Sequence, residues 1–108
     1  MELLTPELRE KLTAATPDAE ENKPWLKLFD PTGAATWLLS EYDPKRREFF
    51  GLCDLGMGCP ELGYVSLDEL KSIKRPLGLG IERDIHWTPV HTLNHYSKMA
   101  REAGHIVT

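Results

Sequence analysis

Two short turns constrain the fold of this chain most strongly. Asp30-Pro31-Thr32-Gly33 supplies an aspartate that accepts from the turn backbone, a proline at the second position and a glycine at the fourth. Asp43-Pro44, followed by Lys45-Arg46-Arg47, has the same character. Connections this short join antiparallel strands, because parallel strands need a much longer crossover. The sequence therefore predicts an antiparallel meander.

Short apolar runs that contain aromatic residues flank these turns and are the predicted strands. They are Trp25–Phe29, Ala35–Tyr42, Glu48–Leu55 and Leu62–Val65, with a weaker fifth strand at Ile81–Trp87. Several runs are apolar on both faces. We therefore expect helices to cover one side of the sheet and a further layer or a partner to cover part of the other.

An N-terminal helix is predicted from its capping signal. Thr5 caps it, and Pro6 suits the first helical position because the missing N–H would be unpaired there. Apolar residues then recur at helical spacing at Leu4, Leu8, Leu12 and Ala15. Pro17 follows the end of this helix, and the polar stretch Asp18–Lys23 is expected to form a solvated connector.

Two further helices follow the predicted strands. Ser66-Leu67-Asp68-Glu69 matches a capping box and begins a short middle helix, which Pro76 prevents from continuing. Thr88-Pro89 is expected to open the last helix, and Gly104 is its natural end. One face of that helix carries Val90, Leu93, Tyr96 and Ala100.

The 108 residues are expected to form a single domain, because two halves would each be too small to bury a stable core. We assign residues 1–22 to the N-terminal helix and polar connector, and residues 23–108 to the sheet with two helices. The predicted class is α+β, with a mainly antiparallel sheet of about four to five strands. The expected core comprises Trp25, Leu28, Phe29, Trp37, Leu39, Phe49, Leu52, Tyr64, Leu70 and Leu93.

The charge balance and the absence of long apolar stretches limit the classes of partner. Thirteen Lys and Arg against 17 Asp and Glu give a formal net charge of −4, which disfavours sequence-independent binding to the phosphates of nucleic acids. No apolar stretch approaches the roughly 20 residues of a membrane span. Met-Glu-Leu-Leu at the N-terminus does not read as a secretory signal, so we expect a cytoplasmic protein with no membrane partner.

Basic residues fall in three small groups, which keeps nucleic acid as an alternative partner. The groups are Lys45-Arg46-Arg47, then Lys71, Lys74 and Arg75, and finally Lys98 and Arg101. They would contact nucleic acid if they converged, but each is equally well explained as a solvated hairpin tip or helix face.

Two cysteines and two histidines are candidate zinc ligands. Five residues separate Cys53 from Cys59, and His91 and His95 are four apart on the predicted last helix. Structural zinc sites normally space their cysteines more tightly, so we expect the domain to fold with no metal and no cofactor. A nucleophilic Cys59 with a histidine base matches none of the local signatures of thiol enzymes.

Glycines crowd the stretch between the third and fourth predicted strands, at Gly51, Gly56, Gly58 and Gly63. A glycine-rich loop can present backbone N–H groups to a phosphate, but the lysine and hydroxyl of a phosphate loop are absent. We expect Gly56 and Gly58 to supply positive φ angles in a wide connection instead.

Four stretches of the chain carry a family resemblance. They are Pro24–Pro31, Thr36–Pro44, Phe50–Gly56 and Glu61–Ser66. Together they resemble domain-of-unknown-function family number 2958, over about Lys23 to Trp87 with Thr88–Ile106 similar in character. The resemblance implies a small bacterial protein of the kind often met on plasmids and other mobile elements. It supplies no catalytic residue.

Polar and aromatic residues within the matching region are the candidates for a binding site. They are Trp37, Glu41, Asp54, Glu61, Tyr64 and His86. Polar groups bordered by aromatic rings suit a small binding surface. If these residues form a site, we expect the three carboxylates and the histidine to approach one another around the two aromatic rings.

Our leading hypothesis is a non-enzymatic accessory protein of a mobile element that binds another protein. The first alternative is a nucleic-acid-associated helper whose basic groups converge. The second is a small enzyme in which Glu41, Asp54, Glu61 or His86 acts as an acid or a base. The sequence contains no recognisable catalytic set, so we expect binding rather than catalysis.

Overall fold

The structure is a computed structural model that describes residues 1–14, 21–74 and 78–108. Its elements are α1 (Pro6–Thr13), β1 (Leu26–Phe29), β2 (Thr36–Asp43), β3 (Glu48–Asp54), β4 (Glu61–Ser66), α2 (Leu67–Ser72), β5 (Glu82–Arg83) and α3 (Leu93–Ala103). The predictions for Ala15, Pro17, Arg75 and Pro76, and for residues 18–20 of the connector, lie outside the described residues.

The five strands form one antiparallel sheet in the order β4-β3-β2-β1-β5. Strands β1 to β4 follow one another as the predicted meander. After α2 the chain reaches the opposite edge, where β5 pairs with β1. The predicted α+β class, with an antiparallel sheet and N-terminal, middle and C-terminal helices, is confirmed.

Aspartate side chains hold the two short turns, as their sequences predict. Asp30 Oδ1 accepts from the backbone N–H of Thr32 at 3.0 Å and from its hydroxyl at 3.1 Å. Asp43 Oδ1 accepts from the backbone N–H of Lys45 at 2.9 Å. Each carboxylate satisfies donors that a tight turn would leave unpaired. The meander is therefore fixed locally at both connections.

Side-chain caps begin the helices. The Thr5 hydroxyl accepts from the Leu8 N–H at 3.2 Å, and the Ser66 hydroxyl accepts from the Glu69 N–H at 3.2 Å. Gly104 ends α3 with a φ of 79°, a conformation that glycine adopts without steric cost. These three cap predictions are confirmed.

Helices cover both faces of the sheet, and the further layer expected over part of the second face is a helix of this chain. Helices α1 and α2 lie on one side, against Trp37, Leu39 and Phe49, and we name this side the α1/α2 face. Helix α3 packs on the opposite side, the α3 face, against Leu38 and Leu52. The strands are apolar on both faces, and the amphipathic α3 supplies the second cover from within the chain.

A bulge in β2 decides which side chains lie on which face. Leu39 is opposite Gly51, but Glu41 is opposite Phe50, so Ser40 is an extra residue in the strand. Beyond the bulge Glu41 lies on the α3 face. Tyr42 lies on the α1/α2 face, where its ring is 5.0 Å from that of Phe49.

The last helix begins later than predicted. Thr92 caps it, accepting from the His95 N–H at 3.3 Å, whereas Thr88-Pro89 lies before the helix, outside any helix or strand. Val90 lies outside the helix with 71% of its surface exposed, so it is not part of the apolar stripe. Its N–H donates to the Tyr96 hydroxyl at 3.1 Å, which holds this segment against α3.

Two other expectations are corrected at the sheet edges. Strand β5 has only two residues, because Asp84 begins a turn in which its carboxylate accepts from the His86 N–H at 3.0 Å. Tyr64 was expected in the core but is 72% exposed, since no described helix packs over its end of β4. Within the described ranges, every helix is too short or too polar to span a lipid bilayer.

Two glycines that face each other across β3 and β4 are expected to respond oppositely to substitution. A Cβ on Gly51 would collide with the Leu38 carbonyl oxygen and lie 2.7 Å from the Leu39 Cα, whereas a Cβ on Gly63 meets nothing within 4 Å. We predict that Gly51→Ala lowers the free energy of unfolding by at least about 2 kcal/mol. Gly63→Ala should change it by less than about 1 kcal/mol. Urea denaturation of both variants measures the difference, and equal effects would contradict the predicted steric clash.

Candidate functional site

Two rows of side chains cross the α3 face at the end of the sheet where β2, β3 and β4 run beyond α3. Glu41, Phe50 and Tyr64 are register partners on successive strands and form the first row. Asp43 and Glu48 are register partners in the second row. Opposed residues of antiparallel strands hold their side chains on one face, about 5 Å apart. Acidic and aromatic groups are thus interleaved on one surface.

These rows, together with the last residues of α1 from the other side of the sheet, line an open groove of about 320 Å³, which we name the acidic groove. Its lining consists of Leu12, Thr13, Glu41, Tyr42, Asp43, Pro44, Glu48, Phe50 and Tyr64. The rings of Phe50 and Tyr64 meet edge to face, with centroids 5.1 Å apart. Phe50 is half-buried against the α3 core, whereas Tyr64 stands in solvent.

The acidic groove carries three carboxylates and, among the described residues that line it, no lysine or arginine. The Asp43 carboxylate is engaged with its own turn. Glu41 is half-buried, and this burial raises the pKa of its carboxyl group because the charged form loses hydration. A cation placed in the groove would compensate that loss. The surface is therefore suited to positively charged ligands.

Of the six candidate residues, Glu41 and Tyr64 are brought together at the acidic groove. Trp37 is buried in the core of the α1/α2 face with 4% of its surface exposed. Glu61 is exposed at the start of β4. His86 follows β5, at the opposite edge of the sheet from β4. The structure does not gather the four polar candidates into one place.

Asp54, the remaining candidate, is a structural carboxylate. It is 3% exposed, and its Oδ1 accepts from the Gly56 N–H at 2.8 Å. Its Oδ2 accepts from the Ile106 N–H at 2.9 Å, in the segment after α3. Asp54 therefore fastens the C-terminal segment to the end of β3, and both of its oxygens are occupied by backbone donors.

The cysteine pair and the histidine pair among the candidate zinc ligands lie at opposite ends of α3. A Cβ on Gly104 would be 3.9 Å from the Gly58 carbonyl oxygen, so the C-terminal end of α3 lies beside the loop that contains Cys59. His91 and His95 stack with ring centroids 4.1 Å apart at the other end of this 11-residue helix, about 16 Å along its axis. In the described parts of the chain no group of three or more His, Cys, Asp or Glu is placed to hold a metal ion.

The basic groups converge only in part. Arg47 and Lys71, from the first and second groups, line a groove of about 410 Å³ together with Arg9. Arg47 is already paired there with Asp68, with a 2.8 Å contact from Nη2 to Oδ1. The third group, Lys98 and Arg101, lies on α3 across the sheet. The described members of the three groups do not form one surface.

Comparison with protein families identifies the chain. The family model described as "Protein of unknown function (DUF2958)" matches residues 3–107. The chain belongs to this family. A search of curated proteins and a search of solved structures each gave no match.

Sequence reasoning missed three residues that give the acidic groove its chemistry, namely Asp43, Phe50 and Glu48, and assigned Asp43 only to its turn. Phe50 was read only as part of a two-faced apolar strand, and Glu48 as a strand end. The signal that would have identified them is the pairing of Phe50 with Glu41, and of Glu48 with Asp43, across β2 and β3. That pairing follows the bulge at Ser40, which no local sequence pattern reveals.

We predict that Asp54→Asn lowers the free energy of unfolding by about 1–3 kcal/mol. The amide presents an NH₂ group to one of the two backbone N–H donors that the carboxylate now satisfies. Glu61→Gln is the control, because this side chain is exposed and its loss of charge should change stability by less than about 0.5 kcal/mol. Urea denaturation followed by tryptophan fluorescence measures both, and an unchanged midpoint for Asp54→Asn would rule out its structural role.

We expect the two cysteines to differ sharply in reactivity. Burial raises the pKa of the Cys53 thiol to about 11, so only about one part in a thousand is thiolate near pH 8. Cys59 is exposed. Iodoacetamide should alkylate Cys59 first in the native protein and both thiols in urea, as measured by mass spectrometry of peptides. Alkylation of Cys53 at the same rate as Cys59 in the native state would contradict this reading.

Proposed function

We propose that this chain is a small bacterial accessory protein, carried by a plasmid or other mobile element and acting in the cytoplasm, that binds another protein. The resemblance to its family implies the setting. The observation that supports protein binding is the edge strand β4. We name its outer edge and the exposed apolar side chains beside it the β4 surface.

The outer edge of β4 pairs with no described strand. Its sequence, Glu61–Ser66, contains neither the proline nor the lysine that commonly protects sheet edges. Such an edge presents a row of backbone N–H and C=O groups to an extended segment of another chain, which can add to the sheet by main-chain hydrogen bonds. Pro60 and the exposed Glu61 protect only the start of β4, and the remaining edge favours a function in protein recognition.

Exposed apolar side chains flank this edge on both faces of the sheet. Tyr64 lies on the α3 face with 72% of its surface exposed. Leu55 and Met57, in the loop between β3 and β4, are 59% and 79% exposed and line an open pocket with Cys53 and Glu61. Alternate side chains of an added strand point to the two faces, so both sets would contact a bound segment.

The alternatives receive less support. An acid–base enzyme needs its groups within hydrogen-bond reach of one substrate, whereas Asp54 caps backbone amides and His86 lies across the sheet from Glu61. A nucleic-acid helper needs its cations on one surface, whereas Lys98 and Arg101 lie on α3, away from Arg47. Protein binding requires neither arrangement.

We predict that Tyr64→Lys abolishes capture of the partner. The substitution places an ammonium group at the edge strand, which opposes strand addition. Val90→Lys is the matched control, because Val90 is 71% exposed at a distance from β4. Tagged chain is cross-linked in cells of the native host, and captured proteins are identified by mass spectrometry.

The expected result is a specific protein captured by the wild type and by Val90→Lys but lost with Tyr64→Lys. Thermal unfolding of each variant verifies that the fold is intact. Equal capture by Tyr64→Lys would exclude the β4 surface, and turnover of a substrate without any captured partner would overturn protein binding altogether.

A further inference from the structure

We propose that the partner segment is basic, and that its lysine or arginine side chains enter the acidic groove beside the β4 surface. This inference rests on the proposed function and specifies the chemistry of its partner. The carboxylates of Glu41, Asp43 and Glu48 supply the charge, and Tyr64 supplies an aromatic surface between them and the sheet edge.

No ion pair among the described residues involves a carboxylate of the acidic groove. The ion pairs of those residues join Lys27 to Asp84 and Arg47 to Asp68, and neither includes Glu41, Asp43 or Glu48. Glu41 and Asp43 are two residues apart on β2, so both project on the same face, and Glu48 is opposite Asp43. Three carboxylates on adjacent strands repel one another, and a cationic side chain between them relieves this repulsion.

The aromatic part of the groove favours the same ligand chemistry. Lysine and arginine cations bind over tyrosine rings at centroid distances up to about 6 Å. Phe50 meets Tyr64 edge to face and steadies its ring, while most of the Tyr64 surface remains open to solvent. A cation–π contact of the same kind exists within the chain, where the Lys11 Nζ lies 4.2 Å from the centroid of the Trp25 ring.

The geometry allows one segment to use both surfaces. A strand added outside β4 lies about 5 Å from it and about 10 Å from β3, given the spacing of strands in a sheet. Lysine and arginine have long stems that lie along apolar surface while the charged head reaches a polar group. Such a stem passes over Tyr64 toward Glu48, which is on β3 and half-buried. Glu41 lies on β2, about 15 Å from the added strand, so its carboxylate attracts the segment through the charge of the groove and not by direct contact.

A second copy of this chain is a poorer occupant than a basic partner. The chain has a net charge of −4, and a copy would bring its own acidic groove to the same edge. Like charges that face each other across a protein interface weaken binding by about several kcal/mol. Nucleic acid is disfavoured by the same carboxylates, because its phosphates are anionic.

The test uses the full chain and a library of random linear peptides displayed on phage. We expect the peptides selected on the wild type to be enriched in lysine and arginine. Their affinity, measured by fluorescence anisotropy, should fall as salt is added, because screening weakens exposed charge pairs. The double variant Glu41→Gln with Glu48→Gln should bind the selected peptides at least tenfold more weakly.

The matched control is Glu69→Gln with Glu102→Gln, which removes two exposed carboxylates that do not line the acidic groove. It should bind the peptides as the wild type does. Far-UV circular dichroism and thermal unfolding verify that both double variants are folded. Gln has the shape of Glu, so a loss confined to the groove variant reports its charge.

Several outcomes would overturn the inference. These are selection of neutral or acidic peptides, failure to select any peptide, and equal binding by the groove variant. A dimer seen by sedimentation without peptide, and lost with Tyr64→Lys, would assign the β4 surface to a second copy. If cells yield a partner that depends on Tyr64 but is retained by the groove variant, this inference fails while the proposed function stands.

Discussion

The pairing of β2 with β3 across a single bulged residue is the constraint on which the rest of the structure depends. Strict alternation from Leu39 would place Glu41 on the α1/α2 face and Tyr42 on the α3 face. The extra residue, Ser40, reverses both. Tyr42 consequently joins Phe49 in the core, and Glu41 joins the acidic groove. One inserted residue thus completes the hydrophobic core and creates the charged surface.

The two faces of the sheet have different consequences for function. Two helices cover the core of the α1/α2 face, and α2 follows β4 directly because Ser66 ends the strand and caps the helix. On the α3 face, one helix covers Leu38 and Leu52 but leaves Tyr64 exposed. Near Tyr64 the α3 face is therefore open to solvent, and a partner can gain apolar contact and charge pairing together there.

Asp54 illustrates why a carboxylate near a strand end is ambiguous in a sequence. Its chemistry suits acid–base catalysis as well as capping. The choice between them depends on Ile106, which is 52 residues later in the chain and donates its N–H to the buried carboxylate. Because a buried carboxylate needs such donors, the contact determines the role. The same holds for Cys53, because its burial in the fold raises the pKa of its thiol to about 11 and lowers the fraction present as reactive thiolate.

The sequence by itself determined the local structure of this protein: the Asp30 and Asp43 turns, the Thr5 and Ser66 caps, the Gly104 helix end, and with them the antiparallel α+β class. Each depends on contacts between residues close together in the chain, which leave a readable pattern. Only the tertiary structure decided the distribution of helices over both faces, the late start of α3 and the membership of the acidic groove. These depend on pairing between distant segments. A single bulge changes the face of every later side chain on β2, and no local pattern in the sequence of β2 indicates where the bulge lies.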